Sequence, residues 1–377
     1  MRRARRTIVW LALPVVALVA VGYAADDYLR ATGFVIRAAG MQGTLRTLAN
    51  IGLEPVHDER LTVPSRSGDI PARLYQPADA SARQILLVPG VHAAGVDEPR
   101  LDGFARNLAS MGHPVLSIGP PDLSRYRITP RSTDMIEDAA RFLASRARGD
   151  PIGIVGISFG GGLSIVAASR LPDVAWVVSF GGHGDLRRTL TYLCTGVQPD
   201  GTHRPPHDYG VVIILLGVAD QVVPADQVEP LRRAILRFLE ASHVDMVDKP
   251  RAATIFEDAR TLAGALPEPA RTFMTYVNTR DVVHLGSALL PHLSALADDP
   301  ALSPSRSAPP RAPVYLLHGT DDNVIPAVES ALLAEDLKRR GGRAHQLLTP
   351  LITHAEVDRT PTAEEIWHLV RFWAGPL

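Results

Sequence analysis

Residues 154–163 read Ile-Val-Gly-Ile-Ser-Phe-Gly-Gly-Gly-Leu, and this stretch decides the fold. An apolar run leads into Ser158, which has a glycine two positions before it and another two positions after it. A helix-compatible segment follows, so the pattern indicates a strand, a sharp turn and a helix. The serine must adopt a strained backbone there, and a Cβ at position 156 or 160 would collide with the neighbouring chain. We therefore expect Ser158 to be a nucleophile presented at the turn.

The composition excludes several classes of protein. The chain has 377 residues and a net charge of −1, so it shows no basic footprint for nucleic acid. A hydrophobic fraction of 46% is ample for a large core. Cys194 is the only cysteine, which excludes an intramolecular disulfide and a cysteine-rich metal site.

The N-terminal segment differs in character from the rest of the chain. Four arginines between positions 2 and 6 precede an apolar stretch over 8–25, which ends at two aspartates. Its 18 residues lie between the length of a signal-peptide core and that of a spanning helix. We favour an uncleaved signal anchor, a transmembrane helix over 1–27, and secretion after signal cleavage is the alternative. The arginines place the remaining chain on the exported side, periplasmic or extracellular.

The rest of the chain divides into four parts. A helical connector is predicted over 28–58. Buried-strand patterns then alternate with helical patterns over 59–182, which predicts a mostly parallel, doubly wound α/β sheet covered on both faces. The pattern breaks over 183–312, which we interpret as a largely helical cap inserted in the sheet fold. It resumes over 313–377.

The C-terminal part supplies the partners that a serine nucleophile needs. Asp322 lies in a turn directly after an apolar strand, and His354 lies in the loop after the next strand. Serine, aspartate and histidine in that chain order are typical of one class of hydrolase. The imidazole must take the hydroxyl proton, and a buried carboxylate must hold the imidazole in the correct tautomer. We select Asp322 rather than its neighbour Asp321, which we expect to order the turn.

Asp220 is a rival for the acid. The segment 211–224 nearly repeats the form of 314–326, an apolar run followed by Gly-x-x-Asp-x-x-Val-Pro. Asp220 would be the acid if 211–216, rather than 314–317, were the acid-bearing strand. Asp322 is favoured because one helix and one strand separate it from His354.

Two backbone N–H groups are expected to hold the oxyanion of a tetrahedral intermediate. One belongs to Phe159, the residue after the nucleophile. The other is assigned to Val91, in the loop after the strand at 85–88. His92 could act directly, but we expect it to shape the pocket.

These motifs together resemble the α/β-hydrolase superfamily over residues 59–375. Pro89-Gly90-Val91 stands where many members carry a His-Gly oxyanion motif, and Gly156–Gly160 resembles the nucleophile elbow. The turn at 318–326 and His354 resemble the acid and the histidine of the triad. The chain looks most similar to dienelactone hydrolase-like or acyl-peptidase-like esterases. The resemblance implies carboxylester-type hydrolysis without a metal or organic cofactor.

Three functions therefore stand as hypotheses. The first is a membrane-anchored serine hydrolase that cleaves a small-molecule or lipid-like carboxylic ester through an acyl-enzyme. The second is an acyltransferase that uses the same triad. The third is a non-catalytic binding protein with the same fold, which would have no reason to retain a strained serine together with an acid and a base.

Overall fold

The structure is a computed structural model that describes residues 26–147, 149–245, 247–353 and 361–377. The expected membrane segment at 8–25 lies outside the described residues, and so does His354. Across the ranges described, no helix combines the length and the apolar character that a membrane span requires.

Eight strands of the described chain form one sheet, in the order β1-β2-β4-β3-β5-β6-β7-β8. The first two strands pair antiparallel, and β2 pairs antiparallel with β4, whereas the pairs from β4 to β8 are all parallel. This confirms the expected mostly parallel α/β sheet. The strands are β1 (Val56–Val63), β2 (Ile70–Pro77), β3 (Ile85–Val88), β4 (Val115–Ile118), β5 (Ile152–Ile157), β6 (Val174–Phe180), β7 (Val314–Gly319) and β8 (Ala344–Thr349).

Helices cover both faces of the sheet and fill a long insertion between β6 and β7. Crossover helices are needed because consecutive parallel strands cannot be joined by a tight hairpin. The helices are α1 (26–38), α2 (Thr44–Ala49), α3 (Pro99–Ala109), α4 (Pro121–Ser124), α5 (Pro130–Arg146), α6 (Phe159–Ser169), α7 (Leu186–Thr195), α8 (Asp208–Val222), α9 (Ala225–Asp245), α10 (Lys249–Gly264), α11 (Ala270–Asn278), α12 (Val282–Leu289), α13 (Ser294–Ala297), α14 (Ala327–Arg339) and α15 (Ala363–Trp373).

The hydrophobic core lies in two layers, one on each face of the sheet. Helices α1, α3 and α15 pack on one face, and α5, α6 and α14 pack on the other together with the insertion. The central strands are buried on both faces, so every residue of β3 and β4 is buried. Such strands are short continuous apolar runs rather than alternating ones, which is why the sequence pattern identifies them.

The segment 211–224 of the insertion, which resembles the acid-bearing strand and turn, is not a strand. Residues 211–216 lie within α8, so the strand interpretation of this segment is wrong. Residues 210–219 of α8 are buried except for Gly217, so this part of the helix is surrounded by protein and is apolar on every side. A run of six apolar residues fits a buried helix as well as a buried strand, and only the surrounding helices decide between them.

An ion pair joins the first helix of the insertion to the sheet domain. The guanidinium of Arg188 in α7 lies 2.7 Å from a carboxylate oxygen of Glu329 in α14, whose side chain is fully buried. The same carboxylate accepts the backbone N–H groups of Gly184 and Asp185. Because each buried oxygen has a donor, the charge is stable inside the protein.

The segment before the sheet is shorter than expected. Helices α1 and α2 form the connector, but β1 begins at Val56, three residues before the predicted start of the core at residue 59. The whole of β1, from Val56 to Val63, pairs with β2. The first hairpin is therefore longer than the apolar runs alone indicate.

Candidate active site

Ser158 lies at a strained turn between β5 and α6. Its backbone has φ 53° and ψ −132°, a conformation that L-residues rarely adopt. A Cβ on Gly156 would lie 2.5 Å from the carbonyl oxygen of Gly160, and a Cβ on Gly160 would overlap the carbonyl oxygen of Pro89. The Ser158 N–H donates to the carbonyl of Phe180 at 2.7 Å, which ties the turn to β6. Both glycines are therefore required by space.

The loop after β3 lies directly against the serine. A Cβ on Gly90 would be 2.9 Å from the Ser158 Cβ and 3.4 Å from its Oγ, so only glycine allows this approach. Val91 follows in this loop and is buried. Phe159 is the first residue of α6, where helix N–H groups have no partner within the helix. The N-terminal end of the helix dipole also favours negative charge at this position.

Asp322 is held rigidly in the turn after β7. Its side chain is fully buried, and its Oδ1 accepts the backbone N–H groups of Val324 at 2.8 Å and Ile325 at 2.9 Å. Its Oδ2 lies 3.4 Å from the His318 Nε2, which is also 2.8 Å from the Ile325 carbonyl oxygen. The two backbone donors hold the carboxylate in one orientation.

The acid turn contacts the chain that leads to residue 354. A Cβ on Gly319 would overlap the carbonyl oxygen of Ile352 and lie 2.7 Å from that of Thr353. On the other side, a Cβ on Gly181 would lie 3.6 Å from the Asp322 Oδ2, and Gly181 directly follows the end of β6. The Asp322 carboxylate thus lies beside the strand end that supports Ser158.

Asp220 is placed elsewhere. It lies near the C-terminal end of α8 with a side chain that is 61% exposed, 3.9 Å from the guanidinium of Arg232. The expectation that would make it the acid required a strand at 211–216, and that segment is helical. Asp220 is therefore a surface residue of the insertion.

Helices α8 and α9 of the insertion contact the loop that carries Val91. The sequence did not indicate these contacts. The Tyr209 hydroxyl, on α8, donates to the Val91 carbonyl at 3.3 Å. The His92 Nε2 lies 3.0 Å from the His243 Nδ1, on α9. Tyr126 packs edge-on against the Tyr209 ring, with 5.9 Å between ring centroids. These partners are far apart along the chain, so no local pattern could reveal them.

Burial sets the protonation of this contact region. It lowers the pKa of His92 to about 4, with a smaller contribution from His243, so the ring is neutral at pH 7. Burial also raises the pKa of the Tyr209 hydroxyl well above 10, and the phenol stays a donor. The Ala94 N–H donates to the His92 Nδ1 at 3.2 Å, which puts the ring proton on Nε2. His92 therefore donates to His243.

Metal-binding groups are scattered in the described ranges. No group of three or more histidine, cysteine or acidic side chains there could hold a metal ion. Cys194 is buried, and burial raises the pKa of its thiol to about 12. A thiol in this state is a packed side chain rather than a nucleophile.

Comparison with known proteins confirms the resemblance that the motifs indicate. The model of the dienelactone hydrolase family matches residues 121–246, a range that includes Ser158. No curated protein shows significant sequence similarity to the chain.

Solved structures with a similar course of the chain include three hydrolases. An esterase of Pyrobaculum calidifontis is 19% identical with a TM-score of 0.45, over 87% of this chain and 83% of its own. EstE1, a carboxylesterase cloned from a metagenomic library, is 18% identical with a TM-score of 0.46, over 85% of this chain and 90% of its own. A Pyrococcus horikoshii acylaminoacyl peptidase is 14% identical with a TM-score of 0.46, over 87% of this chain and 42% of its own.

Proposed function

We propose that this protein is a serine hydrolase that cleaves a carboxylic ester through an acyl-enzyme. The observation that carries the proposal is the approach of the β3 loop to Ser158, where only a glycine at position 90 fits beside the hydroxyl. A strained φ of 53° costs about 1–3 kcal/mol, and such strain is characteristic of functional sites. The family match over 121–246, which spans the serine, supports the same conclusion.

The proposed reaction has two steps. The Ser158 Oγ attacks the ester carbonyl carbon while His354 takes the hydroxyl proton, and the N–H groups of Val91 and Phe159 hold the oxyanion. His354 then protonates the departing alkoxide, and the alcohol leaves the acyl-enzyme. In the second step, water loses a proton to His354 and attacks the acyl carbon. His354 then returns that proton to the departing Ser158 Oγ, which releases the acid and restores the serine hydroxyl and the neutral imidazole. Asp322 orients His354 and stabilises its charged form.

Labelling with a fluorophosphonate probe tests the nucleophile. The reagent should modify the folded protein at Ser158, as identified by peptide mass spectrometry, and Ser158→Ala should abolish labelling. Ser164→Ala is a matched control, because the Ser164 hydroxyl is also buried in this region and has no hydrogen-bond partner. Absence of a label on Ser158 in folded protein would refute the proposal.

We further propose that residues 1–27 anchor the protein in a membrane, with the catalytic domain on the exported side. The support is the apolar stretch at 8–25 behind four arginines. Fractionation of cells that express the full chain should place it in the membrane pellet, resistant to alkaline carbonate. Full-length protein in the soluble fraction would contradict the anchor, and a shortened secreted form would favour signal cleavage.

A further inference from the structure

A large cavity lies on the face of the sheet that carries α1, α3 and α15. Its volume is about 910 Å³, and we call it the α3 cavity because its lining follows α3 from Arg100 to Ser110. At 1.5 Å of rise per residue, that path is about 15 Å long. Phe34 of α1 and Trp373 of α15 form apolar walls. These walls offer apolar surface to a hydrocarbon chain.

One part of the α3 cavity adjoins the residues that support the active site. Phe180, Leu317 and Ile352 line it there, at or just beyond the carboxyl ends of parallel strands. The Phe180 carbonyl accepts the N–H of Ser158. Ser158 itself is not part of the lining, so the cavity is separate from the nucleophile.

Two arginines line another part of the cavity, and none of the residues that the structure describes gives either of them a counter-ion. Within the described chain, no carboxylate pairs with Arg37 or Arg46, and the Nη2 of Arg37 is buried with no hydrogen-bond partner. The Nε of Arg37 donates to the Asn107 Oδ1 at 2.6 Å, and the Nη1 of Arg46 donates to the Arg37 carbonyl at 3.0 Å. Arg46 thus contacts the backbone of Arg37, and its positive charge contributes to lowering the pKa of Arg37.

The other arginines of the cavity are neutralised. Arg100 lies 2.6 Å from a carboxylate oxygen of Glu98, and Arg106 lies 2.5 Å from one of Asp58. As far as the described side chains go, the positive charge of the cavity that lacks a carboxylate partner is therefore that of Arg37 and Arg46. Burial and the neighbouring Arg46 lower the pKa of Arg37 to about 10, which reflects the cost of a partly buried cation without an anion.

We propose that the α3 cavity binds an amphiphile with an anionic head, whose hydrocarbon chain packs against the aromatic side chains that line the cavity and whose charge pairs with Arg37 and Arg46. Charge complementarity identifies the head as a carboxylate or a phosphate. Close to Arg46 in the chain, Leu48 is 58% exposed and Ile51 is 73% exposed. These apolar side chains would contact a membrane or a micelle that supplies the amphiphile. Binding does not depend on whether Ser158 is a nucleophile.

Gly103 allows the α3 cavity to be filled by mutation. It lines the cavity, its φ is not positive, and no atom lies within 4 Å of a Cβ built on it. Gly103 is exposed, so the Cβ of Gly103→Leu meets no neighbouring element and the larger side chain should obstruct the cavity where it opens beside α3. Gly264 has equally open surroundings but lies at the end of α10 in the insertion, so Gly264→Leu is the matched control.

The test uses the full chain carrying Ser158→Ala and held in amphipol, with displacement of a fluorescent polyene fatty acid as the readout. Palmitate should bind saturably at one site, and hexadecanol, which lacks the anion, at least ten-fold more weakly. Arg37→Gln and Arg46→Gln should each weaken palmitate at least five-fold and leave hexadecanol unchanged. Gly103→Leu should abolish binding of both. Arg60→Gln, at an exposed ion pair on β1, should have no effect.

Lipid competitors distinguish the two sources of the anion. Displacement by phosphatidylglycerol vesicles, but not by phosphatidylcholine vesicles, would assign the site to a membrane phospholipid. Displacement by palmitate alone would assign it to a free fatty acid. Equal affinity for palmitate and hexadecanol, or unchanged binding in a folded Gly103→Leu protein, would overturn the proposal. Loss of Ser158 labelling in the wild-type protein would leave this result unaffected.

Discussion

The Nε2 of His92 lies 3.0 Å from the Nδ1 of His243, and this contact joins the loop that carries Val91 to helix α9 of the insertion. The two residues are 151 positions apart in the chain. The insertion is therefore fastened to the loop beside the nucleophile. Its stability and the geometry of that loop should change together.

Acid should weaken this contact. Burial lowers the pKa of His92 to about 4, with smaller contributions in the same direction from His243 and Arg100 and one in the opposite direction from Glu98. The unfolded chain has the usual histidine pKa near 6.5, so it binds more protons than the folded chain between pH 6.5 and pH 4. Protonation of His92 in the unfolded chain therefore costs no stability above pH 6.5. The free energy of unfolding decreases as the pH falls from 6.5 towards 4.

Thermal unfolding of wild-type protein and His92→Gln at pH 7 and pH 4.5 measures this effect. Because the ring keeps partial contact with solvent, we expect the wild type to lose about 1–2 kcal/mol more than the variant. His113 and His183, whose pKa values burial also lowers, contribute equally to both proteins. His57→Gln, at an exposed site on β1, should behave as the wild type. Parallel curves for the wild type and His92→Gln would exclude a role for His92.

Removal of the Tyr209 hydroxyl should slow the reaction of Ser158 with a fluorophosphonate without unfolding the protein. Tyr209→Phe keeps the ring contact with Tyr126 but loses the bond to the Val91 carbonyl at 3.3 Å. A bond of this kind contributes about 1 kcal/mol, so the rate of fluorophosphonate labelling should fall about five-fold. Tyr276→Phe, in α11 of the insertion, is the control. An unchanged rate in Tyr209→Phe would show that the loop is held by other contacts.

Asp322→Asn should separate the acid from its rival. The amide oxygen can still accept the N–H groups of Val324 and Ile325, so the turn should keep its shape. The negative charge is lost, and turnover of a chromogenic ester should fall about 10³-fold or more. Asp220→Asn, at the exposed end of α8, should leave turnover within two-fold of the wild type. The opposite pattern would make Asp220 the acid.

Gly160 and Gly103 should respond in opposite directions to the same substitution. Gly160→Ala places a Cβ against the Pro89 carbonyl, and we expect a loss of about 2–4 kcal/mol in the free energy of unfolding. Gly103→Ala meets open space inside α3 and should gain about 0.5–1 kcal/mol. Urea denaturation measures both. A well-folded Gly160→Ala protein with wild-type stability would contradict the space restriction at the elbow.

Local chemistry determined much of the fold from the sequence alone. The strands that are buried on both faces appear as continuous apolar runs, and the spacing of Gly156 and Gly160 around Ser158 is visible in five residues, although the carbonyl that excludes a Cβ at Gly160 belongs to the distant Pro89. The order of serine, aspartate and histidine follows from the chain itself. These signals need no knowledge of distant partners, so the sheet and the strained turn could be predicted.

Tertiary packing decided the rest. Residues 211–216 are apolar because helix α8 is enclosed by its neighbours, and no local period distinguishes that from a buried strand. The same packing placed Asp220 at the surface and Asp322 beside the strand end that supports Ser158. Tyr209 contacts Val91 across 118 positions, and Arg37 and Asn107 meet across 70. Such contacts form only when the insertion and helix α1 pack against the sheet. The burial of a side chain and the charges around it depend on which distant residues it contacts in the folded protein.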